Sequence, residues 1–547
     1  MTQEQTPTSD AAPEIPTPAV PPAAPAAPAA SPIEEAVAPG YAFEGPALEL
    51  GGLMTGPDAL TASTIRIPLA MLNRHGLVAG ATGTGKTKTL QLLAEQLSAA
   101  GVPVFAADIK GDLSGLATAG EASEKLLART TSVGQDWKAT AFPVEYYALG
   151  GQGIGIPIRV TMSSFGPTLL SRVLGLNDTQ ESSLGLVFHY ADKKGLPLLD
   201  LADLRAVVQH LTSEEGKPEL KELGGLSAST AGVILRELIA FADQGAEAFF
   251  GEPEFDSADL LQQASDGRGL INLVELPNLQ DRPAIFSTFL MWLLADLFHD
   301  LPEVGDVDRP KLVFFFDEAH LLFKDASKPF LEQIAQTVRL IRSKGVGVFF
   351  VTQSPTDVPD DVLAQLGSRV QHQLRAHTPN DAKALKATVN TYPNSAYDDL
   401  GEVITTLGIG EAIVTVMNEK GAPTPVAWTR LRAPESLMAP SSQESMEATV
   451  KASPRFATYA EVVDRESARE ILAKKLEEGA KAEAAEQEEP AAKKADSRKP
   501  EARRKDDGGG AGEIVKDVVR SSAFKQFMRT AAAEIARGLF GTARRRR

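Results

Sequence analysis

The chain has 547 residues, 43% of them hydrophobic, which is enough to bury a sizeable core and to form more than one domain. It has no cysteine, which excludes disulfides and thiolate metal sites and fits a reducing cytoplasm. Its formal net charge of −17 argues against a protein that coats nucleic acid over its whole surface, so such contact would need a local basic surface, for example the lumen of a ring.

The N-terminal part changes character near residue 40. Residues 1–40 are dominated by proline and alanine, which cannot form a packed core, so we predict a disordered tail. No apolar run follows a basic start, and we expect no signal peptide. Short alternating runs at 47–50 and 64–67 predict a small β element that leads into the next strand.

A phosphate-binding loop (Walker A) is predicted after the short apolar strand 77–79. The residues from Gly80 to Thr87 match G-x-x-x-x-G-K-[ST], and leucines at helical spacing follow. In such a loop backbone N–H groups point at a phosphate, the lysine brings positive charge to the β- and γ-phosphates, and the last hydroxyl can bind Mg²⁺. The expected nucleotide-binding residues are Gly80, Ala81, Thr82, Gly83, Thr84, Gly85, Lys86, Thr87 and Thr89.

A second strand is predicted at 102–107, and it ends at Asp108. Ligands bind outside the carboxyl ends of strands in open α/β sheets, so Asp108 is a candidate group near the nucleotide, although a strand-end turn explains it equally well. Residues 41–164 are therefore predicted to form the first part of an α/β core. Several periods near 3.6 predict that residues 165–255 are a helical insertion.

The segment 311–320 predicts the second part of the nucleotide site. Its five consecutive apolar residues predict a strand buried on both faces that delivers Asp317 and Glu318 at its carboxyl end. We expect Asp317 to hold Mg²⁺ beside Thr87, and Glu318 to orient or deprotonate the attacking water. The histidines show no paired-ligand spacing, so no other metal site is expected. The most apolar stretch, 286–298, is too short to span a bilayer and contains an aspartate, so no membrane span is expected.

The second part of the core is predicted at 256–434. In it Gln353 follows a strand, where its side chain is expected to touch the γ-phosphate or the attacking water, with capping of its own loop as the alternative. Residues 435–510 are predicted to be a charged helix followed by a low-complexity linker at 480–510. Residues 511–547 predict an amphipathic basic helix, for which docking on the core or a neighbouring subunit, nucleic-acid binding and membrane-surface binding remain alternatives.

Four segments, at 73–87, 108–115, 316–320 and 347–353, together resemble the bacterial HerA-like ATPases of the HerA/FtsK group of P-loop motors. The resemblance covers roughly 45–435 and the C-terminal helix. It implies an α/β fold with a RecA-like P-loop core and a mainly parallel sheet. The helical insertion, C-terminal helices and disordered termini, which periodicity and composition predict, are added to this core. It also implies a hexameric ring that binds ATP between subunits and passes DNA, expected to be double-stranded, through its lumen.

The resemblance further implies that a neighbouring subunit supplies positive charge to the transferred phosphate, as an arginine finger does. By position relative to the P-loop and the carboxylate strand, Arg74 and Arg342 match this role, with Arg369 and Arg375 as secondary candidates. For each arginine, an ordinary surface or salt-bridge residue is the alternative.

The chain also departs from the HerA pattern. HerA proteins carry a sizeable N-terminal β domain for ring assembly and partner contact, whereas only about 30 structured residues are predicted before this P-loop. The partner protein is therefore unknown. The preferred hypothesis is an ATP-hydrolysing ring-type motor that translocates or unwinds DNA. The rivals are an ATPase that remodels or secretes protein and a nucleotide-gated scaffold with slow turnover.

Overall fold

A computed structural model describes residues 30–222, 224–276, 283–323, 326, 328–393 and 395–495. In these residues twelve strands form one sheet. The strands are β1 Ala47–Met54, β2 Ala59–Pro68, β3 Gly76–Ala79, β4 Val104–Asp108, β5 Val144–Leu149, β6 Ile156–Ile158, β7 Ile271–Glu275, β8 Leu312–Phe316, β9 Val346–Thr352, β10 Ser368–Gln371, β11 Glu411–Thr415 and β12 Ala427–Leu431.

The strand order is β2-β1-β12-β11-β10-β3-β9-β8-β4-β7-β5-β6. All neighbours from β10 to β6 pair in parallel, whereas β10 to β11 and the remaining pairs at that edge are antiparallel. The predicted α/β fold with a mainly parallel sheet is confirmed. The predicted small β element is the antiparallel pair β1 and β2, which extends this sheet rather than standing apart from it.

The described helices are α1 Pro32–Val37, α2 Lys86–Ala99, α3 Glu124–Ser132, α4 Met162–Phe165, α5 Pro167–Val173, α6 Asp178–Lys194, α7 Leu201–Thr212, α8 Lys217–Glu222, α9 Ala228–Asp243, α10 Pro283–Asp300, α11 His320–Phe323, α12 Lys328–Ile341, α13 Asp360–Leu363, α14 Pro379–Val389, α15 Leu400–Thr406, α16 Gln443–Ala452, α17 Pro454–Tyr459 and α18 Ala468–Ala495. Helices α4 to α9 lie between β6 and β7, and all of them except α4 fall in the interval 165–255 predicted as an insertion. No described helix has both the length and the apolar character needed to cross a bilayer.

Aromatic side chains fill the core between the sheet and its helices. Phe105 and Phe314 on neighbouring strands have ring centroids 4.8 Å apart, and Phe289 of α10 lies 6.3 Å from Phe105. Every residue of β8 and β9 is buried. Burial on both faces explains why these strands are almost wholly apolar and end in polar residues only where the sheet ends.

Two short strands were not foreseen from the sequence. Strand β5 is fully buried, and β6 at the sheet edge contains Pro157. A short apolar run does not identify a strand by periodicity alone, and proline argues against any strand except one at an edge.

Both ends of the described chain differ from the expected boundaries. Part of the predicted N-terminal tail is packed, because Ser31 caps α1 and the side chain of Val37 is buried. Helix α18 continues to Ala495 and so enters the interval predicted as a linker. The predicted amphipathic helix at 511–547 lies outside the described residues. The chain divides into two compact units, 1–475 and 476–547, and the features below belong to the first.

Candidate functional site

The loop between β3 and α2 adopts a conformation that requires glycine. Gly85 precedes the first helical residue with φ +115°, and no described side chain caps this helix end. A Cβ atom on Gly80 would lie 2.5 Å from the Cβ atom of His372. The first-turn N–H groups of a helix have no acceptor within the helix. The loop therefore presents uncapped donors and the positive end of the α2 dipole at one point.

The ammonium group of Lys86 lies within this loop. It donates hydrogen bonds to the carbonyl oxygens of Gly80, at 2.7 Å, and Ala81, at 3.2 Å. Burial lowers the pKa of Lys86, while the nearby carboxylates of Glu318 and Asp317 act in the opposite direction. The two predicted motifs are therefore close enough to interact electrostatically.

Residues near 372 and 410, which the sequence did not identify, support the P-loop on its buried side. His372 is fully buried, and its Nε2 atom lies 2.8 Å from the hydroxyl of Thr89. Burial lowers the pKa of His372 to about 3, so the imidazole is neutral at physiological pH. The N–H of Ala81 donates to Gln373 at 2.8 Å, and that of Gly410 donates to Thr84 at 3.0 Å. Nothing local in the sequence links residues near 372 or 410 to a loop near 80, because only the strand order brings them together.

Thr89, predicted to contact nucleotide, lies on the buried side of the P-loop. Its side chain is buried, and its hydroxyl also donates a hydrogen bond to the Gly85 carbonyl oxygen at 3.3 Å. Thr82 and Gly83, in contrast, are exposed, and Thr87 is half-buried. The described contacts of the Thr89 hydroxyl are therefore with Gly85 and His372, and a contact with nucleotide stays a prediction.

The predicted acid pair follows β8, which is separated from the P-loop strand β3 by β9 alone. Asp317 is buried, one of its carboxylate oxygens accepts the N–H of Glu318 at 2.9 Å, and the other has no hydrogen-bond partner among the residues that the structure describes. Burial raises the pKa of Asp317 to about 7. A buried carboxylate oxygen without a partner is costly in free energy and suits a position where a cation binds.

Glu318 is held by a group that the sequence did not identify. Its backbone has φ +48°, which is uncommon for any residue except glycine. Its carboxylate forms an ion pair with Lys110, and His320 Nδ1 lies 3.2 Å from its second oxygen. Burial alone would raise the pKa of Glu318, but the hydrogen bond and charge of Lys110 outweigh it, and the pKa is lowered.

Asp108 shapes the loop that carries Lys110. Its two carboxylate oxygens accept the N–H groups of Gly111, at 2.7 Å, and Leu113, at 2.8 Å. Burial raises its pKa to about 6. Of the two interpretations of Asp108, the strand-end turn accounts for both oxygens.

Gln353 is exposed at the carboxyl end of β9, on a cleft of about 800 Å³. Ala81 and Thr82 of the P-loop, His320 and Arg375 also line this cleft. The Arg375 guanidinium donates to the Thr82 carbonyl oxygen at 3.3 Å. This secondary candidate is thus the arginine that touches the P-loop of its own chain.

The two preferred arginines lie where the parallel strands begin, which we call the amino edge of the sheet. The P-loop lies where these strands end, which we call the carboxyl edge. Arg74 precedes β3 and Arg342 precedes β9, whereas the P-loop and Gln353 follow these strands. Both guanidinium groups approach Asp306, at 3.5 and 3.9 Å. The seven residues of β9 separate the edges by about 20 Å. Arg369 instead donates to Thr391 at 2.6 Å.

Among the described residues, no group of three or more histidine and acidic side chains is arranged to hold a metal ion by itself. A magnesium ion bound by one or two side chains and by substrate phosphates needs no such group.

Comparisons with known proteins identify relatives. The model of the family "Helicase HerA-like C-terminal" matches residues 55–547. The DNA double-strand break repair helicase HerA of Sulfurisphaera tokodaii is 22% identical over 369 residues, which are 66% of either chain. The helicase of the same name from Sulfolobus acidocaldarius is 22% identical over 355 residues, or 64% of either chain. The chain thus spans just under two thirds of the length of these curated relatives.

Two solved structures are more distant. The plasmid coupling protein TrwB in complex with ADP and Mg²⁺ is 16% identical with a TM-score of 0.48, covering 72% of this chain and 99% of that one. VirB4 of Thermoanaerobacter pseudethanolicus is 14% identical with a TM-score of 0.46, covering 71% and 97%. The family assignment rests on the sequence match, which extends over most of the chain: this protein belongs to the Helicase HerA-like C-terminal family.

Proposed function

We propose that this protein is a Mg²⁺-dependent ATP-hydrolysing motor that acts on double-stranded DNA as a ring of identical subunits in the cytoplasm. One observation carries the hydrolytic part: the P-loop and the acid pair follow two strands that are separated by a single strand of one parallel sheet. Family membership supports the motor, and double-stranded DNA as cargo is suggested by the function in the relatives' names.

The triphosphate would be held by backbone and side-chain donors of the P-loop. The uncapped N–H groups at the start of α2 suit phosphate oxygens. Lys86 would exchange its bonds to the two loop carbonyls for bonds to the β- and γ-phosphates. Residues 80–85 would wrap the phosphates, and Thr89 with His372 would keep the loop in shape from below.

The residues fit a magnesium ion as well. Asp317 offers an unpartnered, buried carboxylate oxygen, and Thr87 offers a hydroxyl in the first turn of α2. Bound Mg²⁺ neutralises charge on the phosphate oxygens and thereby stabilises the transition state. A cation would also relieve the unfavourable burial of Asp317, whose raised pKa reflects that burial.

Glu318 would act as the base that orients the attacking water and accepts its proton. The ion pair with Lys110 keeps it ionised, which a base requires, but also occupies one of its oxygens. Gln353 lies where an amide could orient the same water, and Arg375 could place positive charge beside the transferred phosphate. Arg74 and Arg342 could reach a phosphate only in a neighbouring subunit.

The steady-state ATPase rate, measured with and without double-stranded DNA at low and moderate salt, tests this function. Stimulation by DNA that weakens with salt supports the DNA motor. Hydrolysis stimulated by a protein partner but indifferent to DNA supports a protein-remodelling ATPase. Tight ATP binding with negligible hydrolysis supports a nucleotide-gated scaffold.

Two variants control this experiment. Lys86→Ala should remove most hydrolysis by weakening triphosphate binding. Glu318→Gln should remove hydrolysis and retain ATP binding, because the amide preserves the shape but cannot accept the proton. Full activity of Glu318→Gln would contradict the assignment of the base.

A further inference from the structure

A short turn beside the P-loop exposes an apolar side chain. Ile409, between Gly408 and Gly410, is 77% exposed, the highest value for any large hydrophobic residue in the part of the chain that the structure describes. Single exposed apolar residues are ordinary on protein surfaces. Two further observations set this one apart: how firmly its backbone is held, and what its turn contacts.

Hydrogen bonds hold the backbone of the turn on both sides. The guanidinium of Arg129 donates to the carbonyl oxygens of Gly410, at 2.7 Å, and Ile409, at 3.4 Å. The carboxylate of Glu411 accepts the N–H of Gly408 at 3.1 Å. Gly410 has φ +74°, and a Cβ atom there would lie 2.6 Å from the Arg129 guanidinium. The exposed side chain is therefore presented by a fixed backbone, which reduces the entropy lost when a ligand covers it.

The same turn contacts the P-loop directly. The Gly410 N–H donates to the Thr84 carbonyl oxygen at 3.0 Å. A Cβ atom on Gly85 would lie 3.4 Å from the Cα atom of Gly410, so a side chain at Gly85 would already touch the turn where α2 begins. The turn is thus fixed relative to the point where the proposed function binds phosphates.

We propose that Ile409 is the apolar platform for the nucleobase of the bound nucleoside triphosphate. This inference rests on the proposed function and adds the site of the base. The flat face of a purine is apolar enough to cover a branched aliphatic side chain, and the base is tethered to phosphates held next to the same turn. An aliphatic side chain does not read the hydrogen-bonding edge of a base, so this platform accepts adenine and guanine alike.

Binding measurements on the full chain test this proposal with three probes, each with Mg²⁺: ATP, GTP and inorganic tripolyphosphate, which has no base. Ile409→Ser should weaken ATP and GTP by about three- to tenfold, the loss expected for one apolar contact. Tripolyphosphate affinity should stay within about twofold, since its phosphates do not reach the platform. Ile409→Phe should retain ATP affinity because it keeps an apolar surface.

Val462→Ser is the matched control. Val462 is another exposed apolar residue in an irregular segment, and its neighbour Val463 donates to the Glu252 carbonyl oxygen, far from the P-loop strand. This variant should bind all three probes like the wild type. Unchanged ATP affinity in Ile409→Ser overturns the proposal, as does an equal loss for ATP and tripolyphosphate.

A change of oligomeric state in Ile409→Ser, with equal losses for all probes, would mean that a neighbouring subunit covers Ile409 instead, and this also overturns the proposal. Failure of the wild type to bind ATP would refute the proposed function itself, and this inference with it. A wild type that binds ATP beside an unaffected Ile409→Ser would refute the platform alone.

Discussion

The two edges of the parallel sheet carry different chemistry. At the carboxyl edge, the pKa values of Lys86, Asp317 and Glu318 are shifted by burial and by their neighbours, and Arg375 lines the same cleft as Gln353 and the P-loop residues Ala81 and Thr82. At the amino edge, Arg74 and Arg342 share the exposed Asp306. If the proposed function is right, a single chain provides the phosphate- and metal-binding residues of the hydrolytic site, and the amino-edge arginines act there only when a second subunit brings them to it.

Mixing two variants, each changed at one edge, tests whether the two edges of one active site come from different subunits. Arg342→Ala should lower hydrolysis by about 10³-fold if this residue acts as an arginine finger in trans. In equal mixtures with Glu318→Gln, about a quarter of the interfaces in a head-to-tail ring would combine an intact base with an intact arginine. We therefore expect two inactive variants to regain ATPase activity on mixing. The same experiment with Arg74→Ala identifies which arginine acts.

A same-edge pair provides the control for mixing. Lys86→Ala and Glu318→Gln both change the carboxyl edge, so every site needs both native residues from one chain. Mixtures of these variants should remain inactive. Recovery in this control, or none with either arginine variant, would contradict the division of roles between the edges.

Arg375 sharpens the comparison from the other side. Because its guanidinium contacts the P-loop of its own chain, Arg375→Ala should lower kcat by about 10²-fold, as expected for one lost donor to the transition state. This variant should not regain activity with Glu318→Gln but should do so with Arg342→Ala. Arg369→Ala, which changes an arginine on β10 that contacts Thr391, should retain near-native kcat.

Lys110 gives the carboxyl edge a measurable pH dependence. Its ion pair lowers the pKa of Glu318, so Lys110→Met should raise that pKa. A protonated Glu318 cannot accept a proton from water. The acidic limb of the pH–rate profile should therefore move to higher pH in the variant, with the largest loss of rate at acidic pH. Identical acidic limbs in wild type and Lys110→Met would show that Lys110 does not control the ionisation of Glu318.

A sequence indicates the residues at the carboxyl edge more readily than the contacts around them, for a physical reason. A P-loop is a local pattern. An apolar run followed by Asp317 and Glu318 likewise indicates both a buried strand and the point where that strand ends. The order of strands is not local, so His372, Gly410 and the contact of Arg375 with the P-loop could not be derived. The edge occupied by Arg74 could have been derived, since a residue just before a parallel strand must lie at its amino end.

The smallest expected effect concerns stability. Burial raises the pKa of Asp317 to about 7, well above its value in an unfolded chain, so the folded state holds this proton more tightly. The resulting stability is fully present below the unfolded pKa, near 3.9, and is lost as the pH rises through about 7. Asp317→Asn removes this loss. We expect the thermal midpoint of the variant to exceed that of the wild type by about 2 °C at pH 8 and the gain to vanish in acid.

Asp306→Asn is the matched control at the amino edge, where the 87% exposed side chain should leave the midpoint unchanged. Adding Mg²⁺ and ATP should then reverse the order at pH 8, because ligand binding stabilises the wild type and the amide of the variant is a poor magnesium ligand. A variant less stable than the wild type in the absence of nucleotide would mean that Lys86 and Lys110 already compensate the buried charge. In that case the buried carboxylate of Asp317 would not destabilise the folded protein before a cation binds.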